Sequence, residues 1–388
     1  MGKHTVLLTG ATGILGSWIL NEAIHRGYEP YVLMRDETEG RARARLRALF
    51  ELIGEPDRAD VAHIVRGDIC QPNLGMDGAA KRDLLRNLSG MVHCAACTSF
   101  DPGRSKEVWH SNVDATQHVL EFLSGADVPY YHVSTAYVAG TRKGLAGEEE
   151  LDLGQDFKNT YEQSKCVAEG KVRTAFAEGK VFGSIFRPSI IVGAAANYRI
   201  SQFLNFYGFL RLVDTLARGS FEAGDVIRLR GTPEVTKNLV PVDWIAKAMW
   251  YIIEEKGPTG LAYHLTNPDP PTHEDIMAWA NGYLAEHDCP TRFEVVRDLS
   301  GAPTFMEEVV HDRLRHYKSY LDVEAAYDRR NTDGVLNGSV PFPKMDNAFY
   351  TRLLYYGASQ RWKDVFYSLS EEKEGIEPVA PKARAVPA

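Results

Sequence analysis

A tyrosine and a lysine four positions apart are the side chains in this sequence best suited to proton transfer. Tyr161 and Lys165 lie in a segment with a helical pattern, so both should project from one face of the helix. A tyrosine with a pKa of about 10 is a poor acid or base at neutral pH, but a nearby ammonium favours the phenolate and lowers that pKa. Thr135, at the end of a predicted strand, is placed to bond a reacting carbonyl oxygen, and Asn112 to anchor a water that relays protons to Lys165. We therefore predict a catalytic group of these four residues.

A glycine-rich stretch near the N-terminus has the spacing of a phosphate-binding turn. Residues 9–16 read TGATGILG, between a predicted strand and a predicted helix. Glycine is needed where the backbone turns tightly and approaches a pyrophosphate, and the free N–H groups of the following helix then face that anion. The stretch predicts dinucleotide binding, and the alternative is a glycine-rich turn that binds no ligand.

The end of the second predicted strand bears on the choice between NADPH and NADH. An acidic residue there would bond the ribose 2′-hydroxyl of NAD, whereas an arginine would accommodate the 2′-phosphate of NADP. The sequence has Arg35 followed by Asp36, with further arginines at 41, 43 and 45. A guanidinium suits phosphate in bidentate geometry, so NADPH is favoured and NADH is less well matched. Asp36 speaks for NADH, and the later arginines also fit a solvated helix face.

Seven short motifs, spread over about the first two-thirds of the chain, carry a resemblance to a known family. They are TGATGILG at 9–16, HCAACTSFD at 93–101, HVSTAY at 132–137, NTYEQSK at 159–165, FRPSIIVG at 186–193, NLVPVD at 238–243 and YHLTNP at 263–268. With these motifs the chain resembles an extended short-chain dehydrogenase/reductase. Within that superfamily it looks most like the branch of fatty acyl reductases (male-sterility type) and carrier-protein thioester reductases.

The resemblance implies an activity and assigns roles to residues. Thr135, Tyr161 and Lys165 would be catalytic, with Asn112 as a fourth member, and NADPH would reduce an acyl thioester held on a carrier protein or on CoA. Hydride adds to the thioester carbonyl while Thr135 and Tyr161 steady the oxyanion, and loss of thiol gives an aldehyde that can be reduced again to the alcohol. The predicted cofactor-binding residues are Thr9, Gly10, Thr12, Gly13, Ile14, Gly16, Arg35, Arg45, Asp68, Ile69, Ala95, Ala96, Tyr161, Lys165, Pro188 and Ile190.

Other functions fit parts of the same pattern. The main alternative is an extended reductase that acts on a free ketone, aldehyde or alcohol of a small metabolite. A sugar-nucleotide epimerase or dehydratase is a weaker alternative, as is a dinucleotide sensor that has lost its chemistry. The presence of Thr135, Tyr161 and Lys165 together argues against the sensor.

Strand and helix patterns alternate through the first half of the chain, which predicts a doubly wound parallel sheet with helices on both faces, a Rossmann fold. We expect a discontinuous dinucleotide-binding domain of residues 1–192 plus 238–268. Residues 193–237 plus 269–370 would form a smaller substrate-binding part, and 371–388 a disordered tail. Residues 105–123 and 198–218 have helical patterns. The second, rich in aromatic residues, fits either a pocket-lining helix or a plain core helix.

Composition narrows the partners and the compartment. The net charge of −8 argues against nucleic acid as the main partner. No apolar run reaches the ~18 residues of a membrane span. The N-terminus lacks a signal-peptide pattern, so a cytoplasmic protein, monomeric or homodimeric, is expected. Cys94 and Cys97 form a C-x-x-C, but no second pair completes a metal site, and none is predicted.

A glycine-containing segment precedes the predicted catalytic helix. Residues 141–158 contain three glycines and an acidic run at 148–150. This composition predicts a mobile lid that excludes water from the reaction, and the alternative is a solvated surface loop.

Overall fold

The computed structural model describes residues 4–36, 38–219 and 226–365. Its strands are β1 (Thr5–Thr9), β2 (Glu29–Met34), β3 (His63–Arg66), β4 (Gly90–His93), β5 (Tyr130–Val133), β6 (Leu145–Ala146), β7 (Gly183–Pro188), β8 (Ile190–Val192), β9 (Val226–Arg230), β10 (Leu239–Pro241), β11 (Ala262–Leu265), β12 (Arg292–Val296) and β13 (Ala326–Tyr327). Its helices are α1 (Ile14–His25), α2 (Glu39–Ile53), α3 (Gly78–Asn87), α4 (Ser105–Trp109), α5 (Ala115–Leu123), α6 (Thr160–Ala177), α7 (Phe206–Arg218), α8 (Val242–Lys256), α9 (His273–Glu286), α10 (Phe305–Arg313), α11 (Arg330–Leu336) and α12 (Asn347–Ser359).

Seven strands form one parallel sheet in the order β11-β7-β5-β4-β1-β2-β3. Parallel strands covered on both faces must be apolar almost throughout, and β4, β5 and β7 are buried at every position. The carboxyl ends of β1, β4 and β5 meet at one edge of the sheet, where open α/β sheets bind ligands. The predicted doubly wound fold is confirmed.

Helices cover both faces of this sheet. On one face α1, α2 and α8 pack in a core that includes Ile19, Phe50 and Trp250. On the other face α5 and α6 contribute Phe122 and Val172 to a separate core. Because β1 lies inside the sheet, between β4 and β2, the start of the glycine loop that follows it is flanked by a strand on either side.

A further core lies outside the sheet. It joins α7, α9 and α12 to the parallel pair β9–β12, through residues such as Leu210, Trp279 and Leu353. Its residues Phe209, Ile276 and Met277 also line the cavity described below. The sequence predicted only helices and irregular structure beyond residue 271, so strand β12 was missed. Its partner β9 lies more than 60 residues earlier in the chain, and a pairing that distant leaves no local signal.

Two predicted helices differ from the observed ones. The helix predicted at 198–218 begins only at Phe206, because Tyr198 and Asn205 adopt positive φ angles of 63° and 54° that a helix cannot contain. The pattern at 105–123 is divided into α4 and α5 by a five-residue π-helical turn, His110–Asp114. Such wide turns recur at functional sites, and Asn112 lies at the centre of this one.

The segment predicted as a lid is anchored to the rest of the fold. Its strand β6 pairs with β13, and the buried carboxylate of Glu148 accepts hydrogen bonds from the backbone N–H groups of His264, Asn331 and Thr332. Arg187 donates to the carbonyl of Glu150. These contacts favour a fixed wall over a mobile lid.

The predicted tail at 371–388 lies outside the described residues. Among the helices at 4–36, 38–219 and 226–365, none has the length and apolar character needed to cross a membrane.

Candidate active site

The glycine loop after β1 packs so closely on its surroundings that side chains at two of its positions would collide with backbone atoms. Gly10 has a φ of 74°, and a Cβ atom there would lie 2.6 Å from the Ala95 nitrogen. A Cβ on Gly16 would lie 2.0 Å from the Gly10 carbonyl oxygen, so α1 packs on the loop only because residue 16 has no side chain. Gly13 N–H closes the turn on the Gly10 carbonyl at 2.9 Å. This backbone fits the pyrophosphate of a dinucleotide at the N-terminus of α1.

Thr9, predicted to bind the cofactor, instead ties two strand ends together. Its side chain is buried, and its Oγ1 lies 2.8 Å from His93 Nδ1 and accepts from the Ala95 N–H at 3.3 Å. The hydroxyl is therefore unavailable to a ligand and positions the loop after β4. Ala96, in that loop, lines the cavity described below.

The charged residues after β2 are arranged unequally. Arg35 is exposed and makes no hydrogen bond or ion pair with the described part of the chain. Asp36 Oδ2 accepts from Arg45 Nη1 at 2.9 Å, and Arg45 also donates to Thr12 Oγ1 at 3.1 Å, so this arginine bridges the strand end to the glycine loop. Arg43 donates to the carbonyls of residues 59 and 62 and is structural.

Asp68 and Ile69 lie in the turn that follows β3. Asp68 Oδ1 accepts from the Cys70 N–H at 3.0 Å, which fixes the turn, and His118 Nδ1 lies 3.2 Å from the Ile69 carbonyl oxygen. The carboxylate stays partly exposed. On the other side, Pro188 and Ile190 line the cavity, and the Pro188 carbonyl accepts from the Thr135 hydroxyl at 3.3 Å.

The start of α6 places the predicted catalytic pair. Asn159 caps the helix by accepting from the Glu162 N–H at 3.0 Å, so that Tyr161 lies in the first turn and Lys165 one turn later. Tyr161, Lys165 and Thr135 all line one cavity of about 300 Å³. The Thr135 hydroxyl interacts with the Tyr161 phenol.

Burial, rather than the lysine, controls the protonation of this pair. Burial raises the pKa of Tyr161 well above its usual range, and the interaction with Thr135 opposes this only in part. Burial also lowers the pKa of Lys165 to about 8, and its Nζ donates to the Val133 carbonyl at 2.8 Å. The net pKa of Tyr161 is therefore raised, not lowered as expected, because burial outweighs the effect expected of the Lys165 ammonium. At neutral pH the phenol keeps its proton and can donate it.

Asn112 is fully engaged by protein groups. Its Oδ1 accepts from the Cys97 N–H at 2.8 Å, and its Nδ2 donates to the Cys97 carbonyl at 3.0 Å and to Ser164 Oγ at 2.9 Å. Its own carbonyl accepts from Thr116 at 2.6 Å. The side chain therefore clamps the 94–101 loop onto the catalytic helix, and these bonds favour a positioning role over the anchoring of a relay water.

The cavity runs from the glycine loop, past the predicted catalytic side chains, to a largely apolar wall. Gly13 and Ile14 line one part of it, and Phe206 and Phe209 of α7 line another. Other α7 side chains, such as Leu210, are in the core, so both interpretations of the aromatic helix hold for different faces.

Several lining residues were not predicted from the sequence. They come from the loop after β4, from the segment just before β10 and from the C-terminal third, and are Phe100, Lys237, His273, Met277, Tyr317 and Tyr320. The T-x-x-D pattern at 272–275 marks a helix start, which the structure confirms as a capping box. No sequence pattern places that helix beside Tyr161.

Cys94, the first cysteine of the C-x-x-C, also lines the cavity. Burial raises the pKa of its thiol to about 12, so the group is protonated at neutral pH and is a poor nucleophile. The arrangement therefore favours direct hydride transfer to a substrate carbonyl over a mechanism that first forms a covalent acyl-enzyme on this cysteine.

Comparison with known proteins agrees with this geometry. Residues 8–249 match the NAD-binding family described as male sterility protein, which is more than half of the chain. The chain belongs to the male sterility protein family. The matched range holds both the glycine loop and the Thr135, Tyr161 and Lys165 side chains.

Two curated proteins are similar in sequence to this male sterility family member. The chain is 27% identical over 358 residues to the nonribosomal peptide synthetase asaC of Aspergillus flavus, covering 84% of this chain and 34% of that protein. It is also 27% identical over 293 residues to fatty acyl-CoA reductase 1 of Gallus gallus, covering 64% of this chain and 55% of the relative. The chain thus spans about a third to a half of the length of these relatives.

Among solved structures, the terminal R domain from the myxalamid PKS-NRPS biosynthetic pathway is similar to this chain. The TM-score is 0.73 at 23% identity, with 94% of this chain and 92% of that one covered. This likeness extends over the C-terminal third, where the sequence resemblance was faint, and shows that the whole fold is shared.

Proposed function

We propose that this member of the male sterility family is an NADPH-dependent reductase of acyl thioesters held on a carrier protein or on CoA. The observation that carries the proposal is one continuous cavity. It joins a dinucleotide-type glycine loop, the Thr135, Tyr161 and Lys165 side chains, and a largely apolar wall. The product is an aldehyde, and a second reduction in the same site gives the alcohol.

The mechanism follows from the protonation states of the lining groups. When held at the glycine loop after β1, NADPH would supply the hydride that reduces the thioester carbonyl carbon. The protonated Tyr161 phenol donates a hydrogen bond to the carbonyl oxygen, and the Thr135 hydroxyl does so once its proton turns from the Pro188 carbonyl; the phenol transfers its proton as negative charge develops on that oxygen. Lys165 is mostly an ammonium at pH 7 and stabilises the phenolate that remains. The hemithioacetal then returns its hydroxyl proton to the Tyr161 phenolate and expels its sulfur as a thiolate, which takes a proton from solvent, and the aldehyde remains.

Two features after β2 support NADPH over NADH. Arg35 is exposed and unengaged, as a residue that holds a 2′-phosphate should be before the ligand binds. Asp36, the acid that would bond a ribose 2′-hydroxyl, already has one oxygen on Arg45. The positive charge of Arg45, 3.1 Å from Thr12 of the loop, adds to the attraction for phosphate.

The kind of thioester is supported by the relatives. The asaC relative is named as a nonribosomal peptide synthetase and the Gallus gallus relative as a fatty acyl-CoA reductase. An acyl group is tethered through a thioester in either case, so the cavity need only admit the acyl chain and the end of its thiol carrier. We therefore include an acyl carrier protein among the proposed partners.

The test is thiol release coupled to NADPH oxidation. The purified chain is mixed with acyl-CoA substrates of several lengths, and NADPH absorbance and free thiol are followed together. We expect one thiol for each acyl group reduced, with one NADPH consumed if the aldehyde is released and two if the alcohol forms. Reduction of free aldehydes or ketones without thiol release from any thioester would contradict the proposal and favour the free-carbonyl reductase.

The same assay tests the cofactor preference. The rate with NADH should be at least about tenfold lower than the rate with NADPH, and an Arg35→Ser variant should reduce this difference between the two rates.

A further inference from the structure

One face of α9 forms part of the cavity wall. His273, Ile276 and Met277 all line the cavity, and their i, i+3, i+4 spacing places them on the same side of the helix. Two of the three are apolar. His273 is therefore a polar group set into an otherwise apolar stretch of wall, in a place where the catalytic residues do not need it.

The histidine presents an unused hydrogen-bond acceptor. Its side chain is 2% exposed, and its Nδ1 lies 3.0 Å from the Thr232 carbonyl oxygen, which only accepts. Burial and the nearby Lys237 ammonium lower the pKa of His273 to about 4, so the ring is neutral at pH 7. With its single proton on Nδ1, the ring carries a lone pair on Nε2, and this atom has no partner in the described structure. A buried acceptor without a partner costs free energy.

A lysine beside the histidine sets the charge of any ligand group that binds there. Lys237 also lines the cavity, and its Nζ donates to Glu324 Oε2 at 2.7 Å and to the Tyr320 carbonyl at 3.0 Å. An ammonium has three hydrogens, so one remains for a ligand acceptor. The positive charge of Lys237 disfavours a cation at His273.

We propose that His273 is a specificity-determining residue that binds a neutral O–H or N–H group on the acyl chain of the substrate. The preferred substrates are thioesters whose chain carries a hydroxyl or an amide, rather than a plain hydrocarbon or a free ammonium. A hydroxyl or amide donates to His273 Nε2 and also accepts from Lys237. This inference rests on the proposed thioester reduction. Nε2 exposes almost no surface in this structure, so the proposed contact requires the surrounding wall side chains to move when the ligand group binds.

The test compares plain acyl-CoA with acyl-CoA of equal length in which one hydroxyl is moved along the chain, together with an amide-bearing chain. We expect one of these to exceed the plain chain in kcat/KM by about fivefold, the value of one hydrogen bond. In His273→Asn the carboxamide still donates toward Thr232 but the acceptor is lost, so the preference should fall to about one. His273→Gln brings a carboxamide oxygen near the position of Nε2 and should restore part of it.

Controls separate this inference from the proposed function. Met277→Leu changes the same helix face without adding or removing a hydrogen-bonding group. It should therefore change kcat/KM by the same factor for the plain chain and for the hydroxyl- or amide-bearing chain. The same preferences are measured as dissociation constants of non-reducible acyl-pantetheine thioethers bound to the NADPH-loaded chain. If plain thioesters are reduced but no hydroxyl or amide isomer is preferred, or if His273→Asn keeps the preference, the inference is wrong and the reductase stands. If no thioester is reduced, the proposed function fails, whatever the thioethers show.

Discussion

Tyr161 and Lys165 show how far single residues can be predicted from their spacing. The four-residue interval places both side chains on one face of α6, and the structure confirms that both line one cavity. The protonation states could not be predicted in the same way, because they depend on desolvation by residues distant in sequence. Phe100 and Tyr320 are two such residues: they are distant from Tyr161 in sequence, but their rings lie 5.7 Å apart beside it.

The lowered pKa of Lys165 predicts a pH limit for the reaction. Because the group is charged below about pH 8 and neutral above it, stabilisation of the phenolate is complete at low pH and is lost as pH rises. We expect kcat/KM for reduction to fall above about pH 8 with the loss of one proton. Lys165→Arg keeps a cation at all these pH values, so its profile should be lower in height but flat through the same range. A wild-type profile that stays level to pH 10 would contradict this assignment.

Local motifs in individual elements were predicted well, and elements that depend on distant contacts were not. The glycine loop was recognised because its three glycines recur at fixed intervals within eight residues, between a predicted strand and a predicted helix. The π-helical turn at His110–Asp114 was missed, since its Asn112 side chain is held by Cys97 and Ser164 from two other segments. The late start of α7 at Phe206 likewise follows from the positive φ of Asn205, which the helical pattern alone does not reveal.

The close approach of α1 to the glycine loop predicts a strong effect of one methyl group. In Gly16→Ala the new Cβ would lie 2.0 Å from the Gly10 carbonyl oxygen, so the glycine loop and α1 must move apart. We expect NADPH affinity to fall at least about tenfold and the free energy of unfolding to fall by about 1–3 kcal/mol. Fluorescence titration with NADPH and chemical denaturation measure the two effects.

The matched control is Gly208→Ala in α7. A Cβ at this exposed position has no atom within 4 Å, so the variant should bind NADPH normally and unfold no more easily than the wild type. Equal effects of the two substitutions would contradict the close-packing explanation.

At the scale of the whole molecule, the C-terminal third contributes both to the main sheet and to the cavity. It supplies β11 at the edge of the sheet and residues such as His273 in the cavity wall. The motifs that carry the sequence resemblance end at residue 268, so the roles of His273 and Tyr320 in the cavity wall could not be predicted. We propose that the domain boundaries expected from the sequence, 1–192 plus 238–268 and 193–237 plus 269–370, divide the cofactor and acyl ends of this cavity. Strand β11, Ala262–Leu265, at the edge of the main sheet, supports that division.

Glu148 is the clearest link between the parts of the molecule. Its carboxylate is 1% exposed and accepts from His264 of β11 and from Asn331 and Thr332 of α11. Glu148→Gln turns one acceptor into a donor that faces these N–H groups, and should lower the free energy of unfolding by about 1–3 kcal/mol. Glu149→Gln, whose side chain is 69% exposed, should change it by less than about 0.5 kcal/mol. Chemical denaturation that ranks the two variants equally would contradict the anchoring of residues 141–158.

The most direct test of the account is a single turnover of Tyr161→Phe loaded with NADPH and mixed with acyl-CoA. The variant keeps the ring but removes the proton that burial holds on the phenol, so the rate of thiol release should fall about 10²- to 10⁴-fold. NADPH affinity, measured on the same protein, should stay close to that of the wild type. Thiol release at the wild-type rate by a variant that binds NADPH normally would contradict the central claim that Tyr161 donates the proton.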